Sequence, residues 1–488
     1  MHINFHNTYV KLPESFYTKT RPAPVTHPEL VFFNWSLANE LGLTVVKEET
    51  QEIAEVFSGN SVLEGSEPIS LVYAGHQFGY FAPQLGDGRA VLLGEVVDKK
   101  GDRYDIQLKE SGKTPYSRGN DGRAALGPML REYIVNEAMH GLRIKSTRSL
   151  ALVTTGEPVF RDTILPGAIL TRVASSHIRV GTFEYFAAKN DVSSLKLLAD
   201  YAINRHAPQA KDAENPYLSF LETVLDTQTS LVVDWLRVGF IHGVMNTDNT
   251  AISGETIDYG PCAFLDAYVP NKVFSSIDRD GRYAFNQQFN ICLWNFTRLA
   301  ETLGFLLHPE PESIQAIIKN LKQIFAQRFH EKYTKMMASK IGIFVPCEED
   351  EQLIQELLNI MEENHFDYTL AFRYLTQIIQ QMPFVPLTDF ATSPRFQKWI
   401  ETWKVRLETQ SSTPEEIAAL MSHQNPVLIP RNHRIEEAIT YALEHNDFSK
   451  AEHLIQALSN PYENDESFID VTEPPTPQQC VYQTFCGT

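Results

Sequence analysis

Two neighbouring segments hold the residue types that phosphoryl chemistry uses. His242-Gly243-Val244-Met245-Asn246-Thr247-Asp248-Asn249 is followed, nine residues after Asn249, by Asp258-Tyr259-Gly260. Kinase-like phosphotransferases set an H-x-D-x-x-x-x-N loop ahead of a D-F-G element, so that Asn and the second Asp hold metal ions against the nucleotide phosphates. His242, Asn249 and Asp258 fit that layout. The aspartate expected at 244 is Val244, which can neither orient a hydroxyl nor take its proton. On these residues alone two readings stay open: a kinase that has lost its chemistry, or a chemistry rearranged around Asp248.

The other pieces come upstream in the order such a site requires. Gly86-Asp87-Gly88-Arg89 leads into AVLLGEVV, and glycines let backbone N–H groups approach phosphate oxygens. Ile106-Gln107-Leu108-Lys109 has the shape of the kinase strand whose lysine binds phosphates. Glu132, or else Glu137, stands on the next helix and can hold Lys109 by an ion pair. Arg172 and Arg179, seven apart in LTRVASSHIRVGTF, offer guanidinium forks for phosphate and join Lys109 and Lys113 in a basic pocket. Taken singly, these are a tight turn, a surface lysine, a solvated helix charge and two structural arginines. Their order along the chain is what points to a kinase-like ATP site. Ser111-Gly112-Lys113-Thr114 resembles the end of a P-loop, but the glycine required five positions before Gly112 is Gln107. The sequence holds no H-E-x-x-H and no G-x-S-x-G.

These residues need elements to position them. Residues 90–97 and 104–108 read as two strands joined by a polar turn, and 127–142 as a helix opening at Pro128. Residues 28–43 read as an amphipathic helix with Leu30, Trp35, Leu37 and Leu41 inward. The middle section reads as mostly helical, with helices over 193–203 and 217–236. Beyond Leu299 the pattern is strongly helical, and the acidic run 348–351 reads as a solvated helix start. Residues 460–488 read as an extended tail.

Composition narrows the field. The chain has 488 residues, 43% hydrophobic and 21% charged, which suits a soluble globular protein of about two to four domains. Lys plus Arg is 42 and Asp plus Glu 61, a net charge of −19, which argues against nucleic acid as a partner. Any anion must sit in a locally basic pocket. The five cysteines form no C-x-x-C, so neither a disulfide framework nor a zinc site is expected. No signal pattern and no apolar run of about 20 residues occurs. A cytoplasmic enzyme with no membrane partner is expected.

Longer stretches carry a resemblance. LVYAGHQFGYFAPQLGDGRA, QLKESGKTPYSRGNDGRAALGPMLREY, STRSLALVTTGEPVFRD, HGVMNTDN, IDYGPCAFLDAY and the terminal TFCGT closely resemble the SelO family, called YdiU in bacteria. The resemblance implies an α+β, protein-kinase-like two-lobed fold, with a small strand-bearing N-lobe, a large helical C-lobe and a helical C-terminal extension. On this chain that gives a helical N-terminal extension over 1–70, an N-lobe over 71–145 and a C-lobe over 146–300. A helical region over 301–459 and a cysteine-bearing tail over 460–488 complete it. It implies transfer of AMP from ATP to Ser, Thr or Tyr hydroxyls of proteins, with UMP from UTP as a further activity, and Mg²⁺ or Mn²⁺ as the metal. By motif, Gly86, Gly88, Arg89, Lys109, Asp121, Gly122, Arg172 and Arg179 correspond to nucleotide contacts, with Glu132 the partner of Lys109. Asp248 corresponds to the catalytic base, and Asn249 and Asp258 to the metal ligands. The resemblance also explains Val244: the nucleotide lies reversed, with its terminal phosphates buried among the extra cations, Lys113 among them. It further links Cys486 to redox control with a cysteine near the metal-binding loop. Cys262 lies four residues after Asp258, and its plainer reading is a buried thiol. An orthodox phosphotransferase and a non-catalytic nucleotide-binding regulator are the competing expectations.

Overall fold

The computed structural model describes residues 1–382 and 393–485. Cys486 lies outside the described residues. The protein is a mixed α/β chain built around one antiparallel sheet and a large helical region.

The strands are β1 (Tyr17–Lys19), β2 (Glu29–Phe33), β3 (Ile69–Leu71), β4 (Gly75–Gln77), β5 (Tyr80–Ala82), β6 (Ala90–Val97) and β7 (Arg103–Lys109). They continue with β8 (Ala124–Ala125), β9 (Arg148–Phe160), β10 (Ile164–Ala174), β11 (Phe240–Ile241) and β12 (Ala263–Phe264). The main sheet runs β1-β3-β6-β7-β10-β9-β2, with β8 pairing β10. β4 and β5 form a separate hairpin, as do β11 and β12. The first helices are α1 (Trp35–Glu40), α2 (Thr50–Phe57), α3 (Leu126–Gly141), α4 (Val180–Ala188), α5 (Val192–His206), α6 (Pro216–Val238) and α7 (Gln288–Thr302).

Period-two alternation on the central strands sorts hydrophobic from chemical side chains. Ile106 and Leu108 of β7 are fully buried in a core shared with α1 and α2. Gln107 and Lys109 therefore point to the other face, and the register sets Arg172 of β10 opposite Gln107. That face is covered by α3, which delivers Glu132, and by the loops after α6.

The strands at 90–97 and 103–109 and the helices at 126–141, 192–206 and 216–238 appear where the sequence pattern put them. Residues 28–43 do not form one helix. The β-prone run Glu29-Leu30-Val31-Phe32-Phe33 pairs with β9, and Asn34 then starts α1 by accepting the Leu37 N–H at 3.0 Å. The middle section is not mostly helical at its start: β9 and β10 form a long hairpin in the main sheet. That sheet draws strands from 17 through 174. The acidic helix start is not wholly solvated either. Asp350 is buried, accepts the Cys347 N–H at 2.8 Å and pairs with Arg406 at 2.7 Å. The tail is not uniformly extended, since 466–472 forms a short helical segment. Among the described residues, no helix is long and apolar enough to cross a membrane.

Candidate functional site

Strand ends, one helix and two loops converge on a cleft of about 260 Å³. Its lining includes Gly86, Gly88, Arg89, Lys109, Arg172, Arg179, Asp248, Asn249 and Asp258.

Asp258 is one of the acids that line it. Its left-handed backbone, φ 64°, turns the carboxylate toward the sheet. Lys109 Nζ donates to it at 2.7 Å, one Arg172 nitrogen at 2.7 Å and one Arg179 nitrogen at 3.1 Å. Burial alone would push this carboxyl up, but Lys109, Arg172 and Arg179 outweigh it and hold the group well below the ordinary carboxylate range. Lys109 is also paired with Glu132 at 2.5 Å, and Arg172 lies 3.6 Å from the same carboxylate. Glu132 is thus the partner of Lys109. Glu137 instead binds Arg148 at 2.8 Å and Asn34 at 2.7 Å. Gln107 accepts from Arg172 at 2.7 Å, which fixes the guanidinium plane.

Asp248, also lining the cleft, occupies a 3-10 turn, Thr247–Asn249. Burial pushes its carboxyl up to about 6, against the lowering effects of Arg179 and of the Gln77 hydrogen bond. Gln77 donates to one oxygen at 3.2 Å, and the other is buried without a partner. A buried carboxylate with a free oxygen and a pKa near neutral is what a general base requires. Gly75 lies so close that a Cβ there would come within 2.5 Å of the Asp248 carboxylate. Arg179 links the two acids, since the nitrogen that meets Asp258 also donates to the Asp248 carbonyl at 2.6 Å. His242 serves the frame: it is buried, and its Nε2 lies 2.9 Å from the Ile257 carbonyl, tying the two acidic segments together.

The glycine turn approaches from the other side. Gly86 has φ 77° and packs where a Cβ would strike the Tyr116 ring. Between the glycines, Asp87 is buried, accepts from Leu71 N–H and Gln107 at 3.1 Å each, and is pushed up by burial. Arg89 pairs with the buried Glu110 at 3.2 Å. Asp121 and Gly122 lie outside this cleft. They line an adjoining cavity of about 880 Å³ that shares Arg89 and Asn120 with it, and Asp121 pairs with Arg161 at 2.8 Å. Lys113 is exposed and is not among the lining residues of either cavity.

Asn249, Asp258 and Asp248 offer oxygen donors of the kind a hard divalent cation takes. Asn249 uses its amide N–H on the Val244 carbonyl at 3.1 Å, which leaves its side-chain oxygen for a ligand. Beside it stand Asp258 and the unpartnered oxygen of Asp248. Mg²⁺ or Mn²⁺ is held by one or two such groups together with substrate phosphates, so this donor set fits. No cluster of three or more His, Cys, Asp or Glu occurs among the described residues.

Sequence reasoning missed Tyr73, Gln77, Tyr116 and Arg118, which also line the cleft. Gln77 and Tyr73 sit in a segment that carries clustered glycines and aromatics and part of the family resemblance, but neither residue was singled out. Cys262 is a buried thiol, its pKa pushed up to about 12 by burial.

Comparison with known proteins gives one consistent result. The family model described as "Protein adenylyltransferase SelO" matches residues 1–459. A relative from Syntrophotalea carbinolica, named "Protein nucleotidyltransferase YdiU", is 52% identical over 485 residues, covering 99% of this chain and 97% of its own. Proteins of the same name from Bradyrhizobium sp. (52% identical, all of both chains) and Bacillus mycoides (51%, covering 99% and 98%) match equally well.

Proposed function

The chain belongs to the SelO family of protein adenylyltransferases, and from that premise we propose that it moves AMP from ATP to Ser, Thr or Tyr hydroxyls of proteins. UTP serves as an alternative donor of UMP. The observation that carries the reading is the convergence of Lys109, Arg172 and Arg179 on the Asp258 carboxylate, with Asp248 lining the same cleft.

These three cations suit the most highly charged part of the nucleotide, its β- and γ-phosphates. The α-phosphate then faces Asp248. The acceptor hydroxyl attacks the α-phosphorus and gives its proton to the Asp248 carboxylate. The new P–O bond joins AMP to the acceptor, the α–β bridging bond breaks, and pyrophosphate leaves. Arg172, Arg179 and Lys109 stabilise the charge growing on pyrophosphate, a term that preorganised donors supply without reorganisation. Gly86, Gly88 and Arg89 flank the phosphates, while Asp121 and Gly122 in the adjoining cavity receive the nucleoside end. Lys113, exposed at the rim, contributes only long-range attraction. Mg²⁺ or Mn²⁺, held by Asn249 and Asp258, supplies further neutralisation of phosphate charge when bound.

The sheet with Lys109 and the helical part with Asp248 and Asp258 correspond, in this reading, to the two lobes of a kinase-like fold. An orthodox phosphotransferase is disfavoured because buried Val244 stands where its base is required. A regulator without activity has no use for an orphaned carboxylate oxygen. The compartment proposed is the cytoplasm, where Cys262, Cys292, Cys347 and Cys480, all unpaired, stay reduced.

Intact-mass analysis after incubation with ATP or UTP and Mg²⁺ or Mn²⁺ tests the reading. A nucleoside-monophosphate adduct on the enzyme or an added protein is expected; a phosphate adduct or no adduct overturns it.

A further inference from the structure

We propose that the β4–β5 hairpin and Arg282 form the docking surface for the acceptor polypeptide, and that Arg282 selects an acidic residue beside the acceptor hydroxyl. The inference rests on the transfer reading above and adds to it the class of acceptor.

The hairpin stands apart from the main sheet and is clamped onto the loop that carries Asp248. The His76 N–H donates to Thr247 Oγ1 at 2.6 Å, and the Phe78 N–H to the Asn246 side-chain oxygen at 3.0 Å. Gln77 reaches Asp248 itself. Below the clamp, Glu184 of α4 holds the His76 ring at 2.6 Å and Thr247 Oγ1 at 2.5 Å. A group docked on this hairpin is therefore held at a fixed distance from Asp248.

The tip of the hairpin is apolar and open. Tyr80 is 82% exposed and Phe81 41% exposed, an expensive arrangement for a surface with no binding role. Rigid aromatics of this kind anchor polypeptide partners at low entropic cost.

Beside the tip lies a cation without a counter-ion. The guanidinium of Arg282 packs under Gly79 and over the Trp294 ring at 5.0 Å. No carboxylate among the described residues forms an ion pair with it; its buried Nε has no hydrogen-bond partner, and the guanidinium's polar neighbour is the Tyr283 hydroxyl. The neighbouring Asp278 carboxylate is spent on the backbone N–H groups of Arg282 and Tyr283, at 3.0 and 2.8 Å. Tyr283 in turn donates to Asn246 at 2.6 Å, so this cation too is tied to the loop carrying Asp248. In a chain of net charge −19, an arginine with no carboxylate partner, set against the hairpin that carries Gln77, attracts negative charge. In the transfer reading the nucleotide's phosphates are met by Lys109, Arg172 and Arg179, which line the cleft as Arg282 does not, so the charge left for Arg282 is the acceptor's.

Two peptides that differ only in the residues flanking one serine, Glu in one and Lys in the other, decide the matter. Binding is read by fluorescence anisotropy, and transfer by mass. The wild-type protein is expected to bind and modify the acidic peptide in preference. Arg282→Ala should weaken that binding about fivefold and Arg282→Glu about tenfold or more, in KM for peptide with KM for ATP unchanged. Arg282→Lys should keep most of the preference. Tyr80→Ser and Phe81→Ser should weaken both peptides alike. Melting temperatures on the same preparations control for folding. Equal binding of the two peptides by the wild-type protein, or a preference untouched by Arg282→Glu, overturns the docking proposal alone. Selective binding of the acidic peptide with no adduct on any protein or peptide leaves the docking surface standing and overturns the transfer reading.

Discussion

A single guanidinium nitrogen of Arg179 donates both to the carboxylate of Asp258, at 3.1 Å, and to the backbone carbonyl of Asp248, at 2.6 Å. One buried cation thus spans the residue proposed to hold the metal and the residue proposed to take the proton. Its own charge is strongly favoured: burial disfavours it, but Tyr73, Asp258, Asp87 and Asp248 together raise its pKa. The Tyr73 ring, 4.7 Å from the guanidinium, closes the remaining side. Nucleotide binding must therefore compete with an internal anion, because Asp258 occupies the cations that the phosphates need.

Removing that internal competitor separates two effects. Asp258→Asn should abolish transfer, since a metal ligand is lost. The same change should tighten metal-free ATP, because Lys109, Arg172 and Arg179 are released from a carboxylate. Calorimetric titration with ATP in EDTA reads the second effect and mass spectrometry the first. Weaker metal-free binding in the variant would show that the three cations do not face phosphate.

Replacing Arg172 or Arg179 with Ala should cut catalytic efficiency with ATP by about tenfold to hundredfold, the value of one charge-assisted hydrogen bond of roughly 1.5–3 kcal/mol. Lys at either position should recover only part, because a point charge cannot reproduce the planar fork that Arg172 shares between Asp258 and Gln107. A purely structural arginine would behave otherwise: melting temperature would drop while the folded fraction kept its activity. Both quantities are measured on the same preparations.

Much of this site was legible in the sequence because its residues sit in short segments with strict spacing. A strand ending in lysine, an aspartate nine residues after an asparagine, and a glutamate on the following helix meet in space at 2.5 and 2.7 Å. Register explains why Arg172 joins them: it stands opposite Gln107, two residues from Lys109 on one face of β7. The β9–β10 hairpin was not legible, since LALVTT and AILTRV are buried on both faces and lose the alternation that marks a half-exposed strand. Residues 28–43 misled for a similar reason. Their apolar spacing fits a helix, but pairing of Leu30 and Phe32 with β9 overrides it. Lys113 was over-read because its proximity to Lys109 in sequence spans a turn that carries it to the surface. Gln77 lies in a stretch that carries the family resemblance, but its contact with Asp248, like the placement of Arg282, follows from tertiary structure.

Transfer should depend on pH through Asp248. Its carboxyl, pushed up to about 6 by burial, must be ionised to accept a proton. The rate should therefore rise with pH through a midpoint near 6 and level off above it. Gln77→Leu removes a hydrogen bond that favours the ionised form, so the midpoint should move up. A flat profile from pH 5 to 8 in the wild-type protein would exclude Asp248 as the base.

Stability has its own pH dependence. Burial lowers His177 to about 4 and His206 to about 3, with Arg205 adding to the effect on His206. Both are kept neutral in the fold and gain protons on unfolding, so the unfolded chain binds more protons below pH 6.5. Their contribution is complete above about pH 6.5 and is lost as pH falls toward 4 and then 3, on the order of a few kcal/mol for each. Melting temperature should fall across that window, and His206→Gln should flatten the slope. An unchanged slope would assign the acid sensitivity to other groups.

Restoring the kinase aspartate should not create a kinase. In Val244→Asp the new carboxylate would stand where a phosphotransferase keeps its base, two residues from His242 and within the same buried loop. If the β- and γ-phosphates lie among Arg172, Arg179 and Lys109, the γ-phosphorus is at the far end of the cleft from any hydroxyl docked near Asp248. A base without a reachable phosphorus gives no rate, because misplacement of reacting atoms removes the proximity that catalysis depends on. The variant should retain AMP transfer through Asp248 or lose some of it to the cost of a buried charge, and should show no phosphate adduct by intact mass. Efficient γ-phosphoryl transfer by Val244→Asp would mean instead that the nucleotide binds with its terminal phosphate toward the acceptor, and the roles given to Arg172 and Arg179 would have to be reversed.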